Sequence, residues 1–176
     1  MTDTPGKALV GISSCLLGEA VRYDGGDKYD LLINTQLAGL FELRPCCPEV
    51  AIGLGIPREP IHLVTTDLGV RVRGVHNPDI DVTCRLEACG NRIAGEFADL
   101  CGYIFKARSP SCGTRDVATW TEQGRQAQSD GTGAFAAALI RARPGLPVTD
   151  EIRLQDPGQR EEFIKSVFAC YRNLPP

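Results

Sequence analysis

The feature that most constrains this 176-residue chain is a set of three cysteines, each of which closely follows a predicted β-strand. The pairs of strand and cysteine are 8–14 with Cys15, 40–46 with Cys47, and 102–108, through a short turn, with Cys112. In an open α/β sheet the carboxyl ends of neighbouring strands face one crevice, where ligands bind. The three thiols are therefore predicted to converge. Three soft ligands without a fourth are typical of a metal centre with one open coordination position.

The rest of the chain alternates buried strand patterns with amphipathic helix patterns. Helices are predicted over 29–39, 80–97, 132–142 and 157–172, and a short final strand at 147–149. Parallel strands joined by crossover helices indicate a three-layer, Rossmann-like α/β domain with a mostly parallel sheet. Two alternating segments, 61–66 and 69–75, predict a small β-hairpin beside it. No repeat or linker divides the chain, so we expect a single domain over residues 1–176.

Composition and charge restrict the function. The net charge of −3 argues against a dedicated nucleic-acid binder, whose binding face is usually basic. No apolar run is long enough for a membrane span, and the polar first seven residues lack a signal-peptide core, so we expect a cytoplasmic protein. Eight cysteines without a Cys-x-x-Cys pair, together with two histidines, do not fit a zinc ribbon.

Two side chains near the end of the second strand, Glu49 and Cys46, have different predicted roles. Glu49 lies two residues after Cys47, where it is a candidate general base beside a metal; the alternative is that it caps or solvates a turn. Cys46 is predicted not to be a ligand, because side chains alternate faces along a strand and Cys46 and Cys47 are adjacent.

Two serines precede the third cysteine. Ser109 and Ser111 enclose a proline in a tight turn that leads into Cys112 and a glycine. Such a turn can hold a thiolate rigidly through its fixed backbone, although an ordinary β-turn is the competing interpretation.

The loop after the first cysteine is polar. Ser14 precedes that cysteine, and Arg22, Tyr23 and Asp24 are candidates for binding a polar substrate above the thiols; a solvated surface loop is equally consistent with them. The segment Gly131–Gly133 opens an apolar helix and is a weak candidate for an anion site, with close packing as the alternative.

The order of these motifs is more specific than any one of them. They are Ser14-Cys15-Leu16-Leu17-Gly18, Val21-Arg22-Tyr23-Asp24-Gly25, Cys47-Pro48-Glu49, Pro57-Arg58-Glu59-Pro60 and Lys106-Ala107-Arg108-Ser109-Pro110-Ser111-Cys112-Gly113. From about residue 8 to 142 the chain resembles a bacterial family, long catalogued as a domain of unknown function, whose characterised members are thiouracil desulfidases.

The resemblance implies a [4Fe–4S] cluster held by Cys15, Cys47 and Cys112, with one iron open to the sulfur of a thiocarbonyl base. It also implies that Glu49 is the catalytic carboxylate and Ser109 the catalytic serine. The implied chemistry is hydrolytic rather than redox: C=S becomes C=O and sulfide leaves. Ser109 would orient Glu49 or relay a proton to the ring nitrogen.

The segment from Ile61 to Val75 resembles the subfamily often fused to a second, C-terminal domain, in which the substrate is thiouridine in RNA. Two other classes remain open: a non-catalytic iron–sulfur sensor or sulfur carrier, and a nucleotide-binding module with an anion site at Gly131–Gly133. On charge, we expect a small thiolated pyrimidine as substrate, with transfer RNA possible but not favoured and no membrane partner.

Overall fold

The structure is a computed structural model that describes residues 6–175. Within that range no helix has the length and apolar character needed to cross a membrane. Eight strands form two four-stranded sheets: β1 (Leu9–Ser13), β2 (Glu42–Cys46), β3 (Ile61–Thr66), β4 (Gly69–Gly74), β5 (Leu100–Phe105), β6 (Val117–Thr121), β7 (Gln126–Gly131) and β8 (Val148–Asp150).

The first sheet, sheet A, is entirely parallel in the order β2-β1-β5-β8. Every residue of β1 and β5 is buried, as their continuous apolar sequences predict. The second predicted strand is different: β2 lies at the sheet edge, and three of its five residues are exposed, so the expectation of a buried strand is wrong there. An edge position tolerates Pro45, which has no N–H to donate to a further strand.

Helices cover both faces of sheet A and complete the predicted three-layer arrangement. They are α1 (Ala38–Leu40), which continues a π-helical turn at Ile33–Leu37, α2 (Pro48–Ala51), α3 (Thr83–Glu96), α4 (Ala134–Ala142) and α5 (Pro157–Arg172). On one face α3 and α4 pack against Tyr103 and Phe105, while on the other the π-helical turn and α5 pack against Val10, Ile12 and Ile104.

The second sheet, sheet B, is larger than the sequence predicts. The hairpin β3–β4 is confirmed, and Gly69 takes the left-handed conformation that its turn requires (φ +95°). However, β3 also pairs in parallel with β6, which pairs antiparallel with β7, so the hairpin is half of a mixed four-stranded sheet. No element is predicted for residues 113–131; β7 is polar and almost wholly exposed, so its own hydrophobicity does not indicate a strand.

Candidate functional site

A cavity of about 440 Å³ opens where the neighbouring strands β2, β1 and β5 end. The three predicted ligands all line it. Cys15 lies in a 3₁₀ turn directly after β1, Cys47 directly follows β2, and Cys112 lies in the loop after β5. The structure therefore brings together three thiols that are separated by up to 97 positions in sequence, because parallel strands share one carboxyl edge.

Burial controls the protonation of these thiols. It raises the pKa of Cys15 to about 11. The nearby Lys106 lowers this pKa, whereas the Cys47 thiol raises it further. Burial likewise raises the pKa of Cys47, and it raises the pKa of Cys112 well above its usual value despite a hydrogen bond from Ser13. Cys15 and Cys47 both add to the rise at Cys112, as expected for thiols that face one space.

The donor set fits a multi-iron cluster better than a single ion. Among residues 6–175 no three His, Cys, Asp or Glu side chains are grouped closely enough to chelate one metal ion. A cluster imposes a weaker requirement, because each cysteine binds a different iron atom and the sulfurs need only surround a common space. Three free thiols around one cavity meet that requirement.

Glu49 lies in the first turn of α2 and also lines the cavity. Its Oε2 accepts a hydrogen bond from Arg58 Nε at 2.7 Å, and its Oε1 accepts one from the hydroxyl of Ser111 at 2.7 Å. The serine that orients Glu49 is therefore Ser111 rather than Ser109. Ser111 is fully buried and is not part of the cavity wall, and its substrate-binding role stays a prediction.

Ser109 lines the cavity and organises the turn that carries the third thiol. Its Oγ accepts the backbone N–H of Ser111 at 3.2 Å and that of Cys112 at 3.1 Å. A hydroxyl has two acceptor lone pairs and one proton to donate. Because both acceptor positions are used by the turn, the hydroxyl proton of Ser109 is left for another partner.

The start of α4 locks the same turn in place. The backbone N–H groups of Gly133, Ala134 and Ala136 donate to the carbonyl oxygens of Gly113 (2.7 Å), Pro110 (3.1 Å) and Ser111 (3.1 Å), in that order. A Cβ on Gly133 would overlap the backbone of Ser111, which explains the glycine. Three amides at this helix start are already bonded to protein carbonyls, which favours the packing alternative over an anion site at Gly131–Gly133.

The loop after Cys15 contributes only part of its predicted set. Ser14, Arg22 and Tyr23 line the cavity. Asp24 does not: it is exposed, accepts the N–H of Gly26, and lies 3.5 Å from Arg22 in an ion pair.

Basic side chains dominate the cavity wall, and of these only Arg22 is among the predicted substrate-binding residues. Five basic side chains and one carboxylate line it; the five are Arg22, Lys28, Arg58, Lys106 and Arg108. Arg58 is paired with Glu49 and Lys106 with Glu151. Within the described part of the chain, the side chains of Lys28 and Arg108 have no acidic partner.

Cys46 lies outside this cavity. It lines a separate groove with Tyr103 and Arg92 and packs against the core between sheet A and α3. The side chains of the adjacent residues Cys46 and Cys47 thus lie in different environments, as strand alternation predicts.

These observations describe a Rossmann-like α/β protein with a thiol-lined cavity at the carboxyl edge of its parallel sheet. The model of the 2-thiouracil desulfurase family matches residues 10–151. The chain therefore belongs to the 2-thiouracil desulfurase family, and the expectation of a thiouracil-desulfidase-like enzyme is confirmed at the level of the family.

Two individual proteins are similar to it. One is a solved structure, the [4Fe–4S]-dependent thiouracil desulfidase TudS, with a TM-score of 0.68 and 28% identity over 89% of this chain and 97% of that one. The other is YbbK of Bacillus subtilis (strain 168), an uncharacterized protein that is 29% identical over 158 residues, covering 84% of this chain and 99% of YbbK.

Proposed function

We propose that this protein is an iron–sulfur-dependent desulfidase that converts a thiolated pyrimidine to its oxo form and releases sulfide without net oxidation or reduction. The observation that carries the proposal is the grouping of Cys15, Cys47, Cys112 and Glu49, from three separate strand ends, around one cavity of a 2-thiouracil desulfurase family member. Water supplies the oxygen and hydrosulfide leaves, so the reaction needs no electron donor or acceptor.

Cys15, Cys47 and Cys112 are the residues that would hold a [4Fe–4S] cluster of the kind on which TudS depends. When bound, such a cluster supplies a soft Lewis acid that binds the thiocarbonyl sulfur and draws charge from the ring carbon.

Glu49 is the proposed general base. Each of its two carboxylate oxygens accepts one hydrogen bond, and each keeps a further lone pair that can accept a proton from water. Ser109 is the proposed proton donor to the ring, because its acceptor positions are filled by the turn amides and its O–H remains available. These two roles divide proton removal and proton delivery between the loops that follow β2 and β5.

The basic cavity wall favours a small anionic substrate, such as a thionucleotide, or the free thiobase over transfer RNA. Lys28 and Arg108, which line the cavity, are the proposed contacts of a substrate phosphate. An extended RNA backbone needs a continuous basic surface, and two further arginines are already paired with a carboxylate. Arg71 and Arg73 pair with Asp81 on sheet B, away from the cavity wall.

The test is a substrate panel with anaerobically reconstituted protein. We expect sulfide and the oxo-pyrimidine in equal amounts from thiouracil or 4-thiouridine monophosphate, with no added reductant consumed and little release from thiolated transfer RNA at matched low salt. Iron–sulfur absorption without sulfide release from any substrate would favour the sensor or sulfur-carrier alternative. Faster desulfuration of the RNA, falling steeply with salt, would overturn the preference for a small substrate.

A further inference from the structure

Arg58 is a buried cation at the centre of the candidate site. Its side chain is only 4% exposed, although it belongs to an irregular loop. Its Nε donates to Glu49 Oε2 at 2.7 Å, its Nη1 to the carbonyl of Gly55 at 2.9 Å, and its Nη2 to the carbonyl of Val21 at 2.8 Å. The same Nη2 lies 3.9 Å from Cys47 Sγ.

Stability alone is a poor explanation for this arrangement. Removing a guanidinium and a carboxylate from water costs free energy that their mutual attraction often does no more than offset. The chain also contains a comparable pair, Arg71 with Asp81 at 2.9 Å, whose members are each 26% exposed and therefore remain partly hydrated. The more deeply buried pair is the one at the cavity, where orientation matters for chemistry.

The planar guanidinium has a shape suited to orientation. Its donors are fixed in one plane, so bonds to Glu49 and to the Val21 carbonyl set the direction of one group relative to the other. Cys47 Sγ also contacts the Val21 carbonyl, at 3.7 Å. Arg58 and Val21 thus connect the carboxylate and a predicted ligand sulfur through two contacts, and Ser111 restrains the other carboxylate oxygen.

We propose that Arg58 is a positioning residue that holds the Glu49 carboxylate in fixed register with the Cys47 sulfur; this inference rests on the proposed function of Glu49. It acts through Glu49 rather than on the substrate. Loss of this register lowers kcat and leaves KM nearly unchanged, since substrate binding depends on other groups of the cavity. A misplacement of about 1 Å can cost on the order of 100-fold in rate.

The experiment compares Arg58→Gln and Arg58→Lys with Arg71→Gln, the matched arginine of the exposed pair. Rates are expressed per bound cluster, so that lost iron is not mistaken for lost orientation. We expect Arg58→Gln to lower kcat by about 100-fold. Arg58→Lys should recover part of the loss, because a lysine reaches one partner but lacks the planar fork. Arg71→Gln should match wild type.

Two further measurements test the assignment: the first separates positioning from a merely structural role, and the second tests the contact itself without a cluster. In a double-mutant cycle, Glu49→Gln with Arg58→Gln should be no slower than Glu49→Gln alone, because Arg58 acts through that carboxylate. In the iron-free protein, Arg58→Gln should speed hydrogen exchange at Leu54, whose N–H is bonded to the Glu49 carbonyl at 3.1 Å. Equal kcat per cluster in Arg58→Gln and wild type, or additive losses in the cycle, would overturn the proposal. If wild type itself releases no sulfide while exchange at Leu54 still rises in Arg58→Gln, the proposed function fails and the positioning contact stands.

Discussion

The two sheets of this protein differ in what their strand ends carry. Sheet A is wholly parallel, so that the ends of β2, β1 and β5 deliver three thiols and a carboxylate to one cavity. Sheet B is mixed, and its outer surface carries the Arg71–Asp81 pair in partly hydrated form. An arginine–carboxylate pair lies beside each sheet, but Arg58–Glu49 is buried at the cavity whereas Arg71–Asp81 is partly exposed. The difference teaches that parallel topology, rather than the presence of particular pairs, concentrates chemistry in this fold.

The largest expected effect is the loss of cluster binding, which should follow from substitution of a cysteine at the sheet A cavity and not of a cysteine elsewhere. Cys47→Ser should abolish cluster binding, because serine cannot supply a soft thiolate ligand. Cys46→Ser, one residue away, and Cys84→Ser, on α3 beside Arg71, should keep full iron content. Iron per chain and visible absorption after anaerobic reconstitution measure this. Equal iron loss in Cys46→Ser and Cys47→Ser would contradict the ligand assignment.

The two carboxylates give the next contrast. Glu49→Gln preserves shape and removes a base, so it should retain iron and lower kcat by about 10²- to 10⁴-fold. Asp81→Asn alters the corresponding pair in sheet B and should leave kcat unchanged. Sulfide release under saturating thiobase provides the measurement. Near-normal turnover by the Gln variant would remove Glu49 from the mechanism.

Substitution of two glycines, one beside the cavity and one in sheet B, tests whether the two regions also differ in how stability is linked to iron binding. Gly133→Ala inserts a Cβ into the backbone of the Cys112 turn, and overpacking of this kind costs about 1–3 kcal/mol in the free energy of unfolding. Gly124→Ala forces a left-handed residue (φ +76°) in the β6–β7 turn and costs about 1–2 kcal/mol. Denaturant unfolding should show both losses, while iron content should fall only for Gly133→Ala. Intact iron binding in that variant would show that the turn adapts.

The smallest effect is a pH dependence that belongs to sheet B. Partial burial opposes ionisation of Asp81, but hydrogen bonds from Arg71 and Thr83 outweigh it and lower its pKa to about 2. A depressed carboxyl pKa stabilises the fold above the unfolded-state pKa of about 4, and this contribution is lost as the pH falls from about 4 to 2. The free energy of unfolding should therefore fall less over this range in Asp81→Asn than in wild type. Parallel pH profiles would exclude Asp81 from the acid response.

Sequence patterns predicted the parts of the fold that depend on continuous apolar runs. β1, β5 and the β3–β4 hairpin follow directly from burial and alternation, and the start of α5 is marked by Asp156, whose side chain accepts the N–H of Gln159. The strand β7 escaped prediction because its exposed polar residues are specified by pairing with β6 rather than by their own hydrophobicity.

The site was predictable where chemistry follows the strand ends and not where it depends on long-range contacts. The three cysteines and Glu49 could be placed at one edge from topology alone. The contact of Ser111, rather than Ser109, with Glu49 could not be predicted, because which hydroxyl reaches Glu49 depends on how the turn packs against α4. The partnership of Arg58 with Glu49 likewise arises from loop closure over nine positions with no periodic signal.

The hydrogen bonds at the start of α4 have a consequence for the order of assembly. Three of its amides hold the loop that carries Cys112, and the Ser109 hydroxyl holds the same loop from within. The orientation of that sulfur is therefore a property of the folded chain, established by hydrogen bonds that require no metal. A cluster would then bind to a polypeptide that is already folded around the Cys112 ligand, in contrast to zinc fingers, whose polypeptide becomes ordered only around its ion.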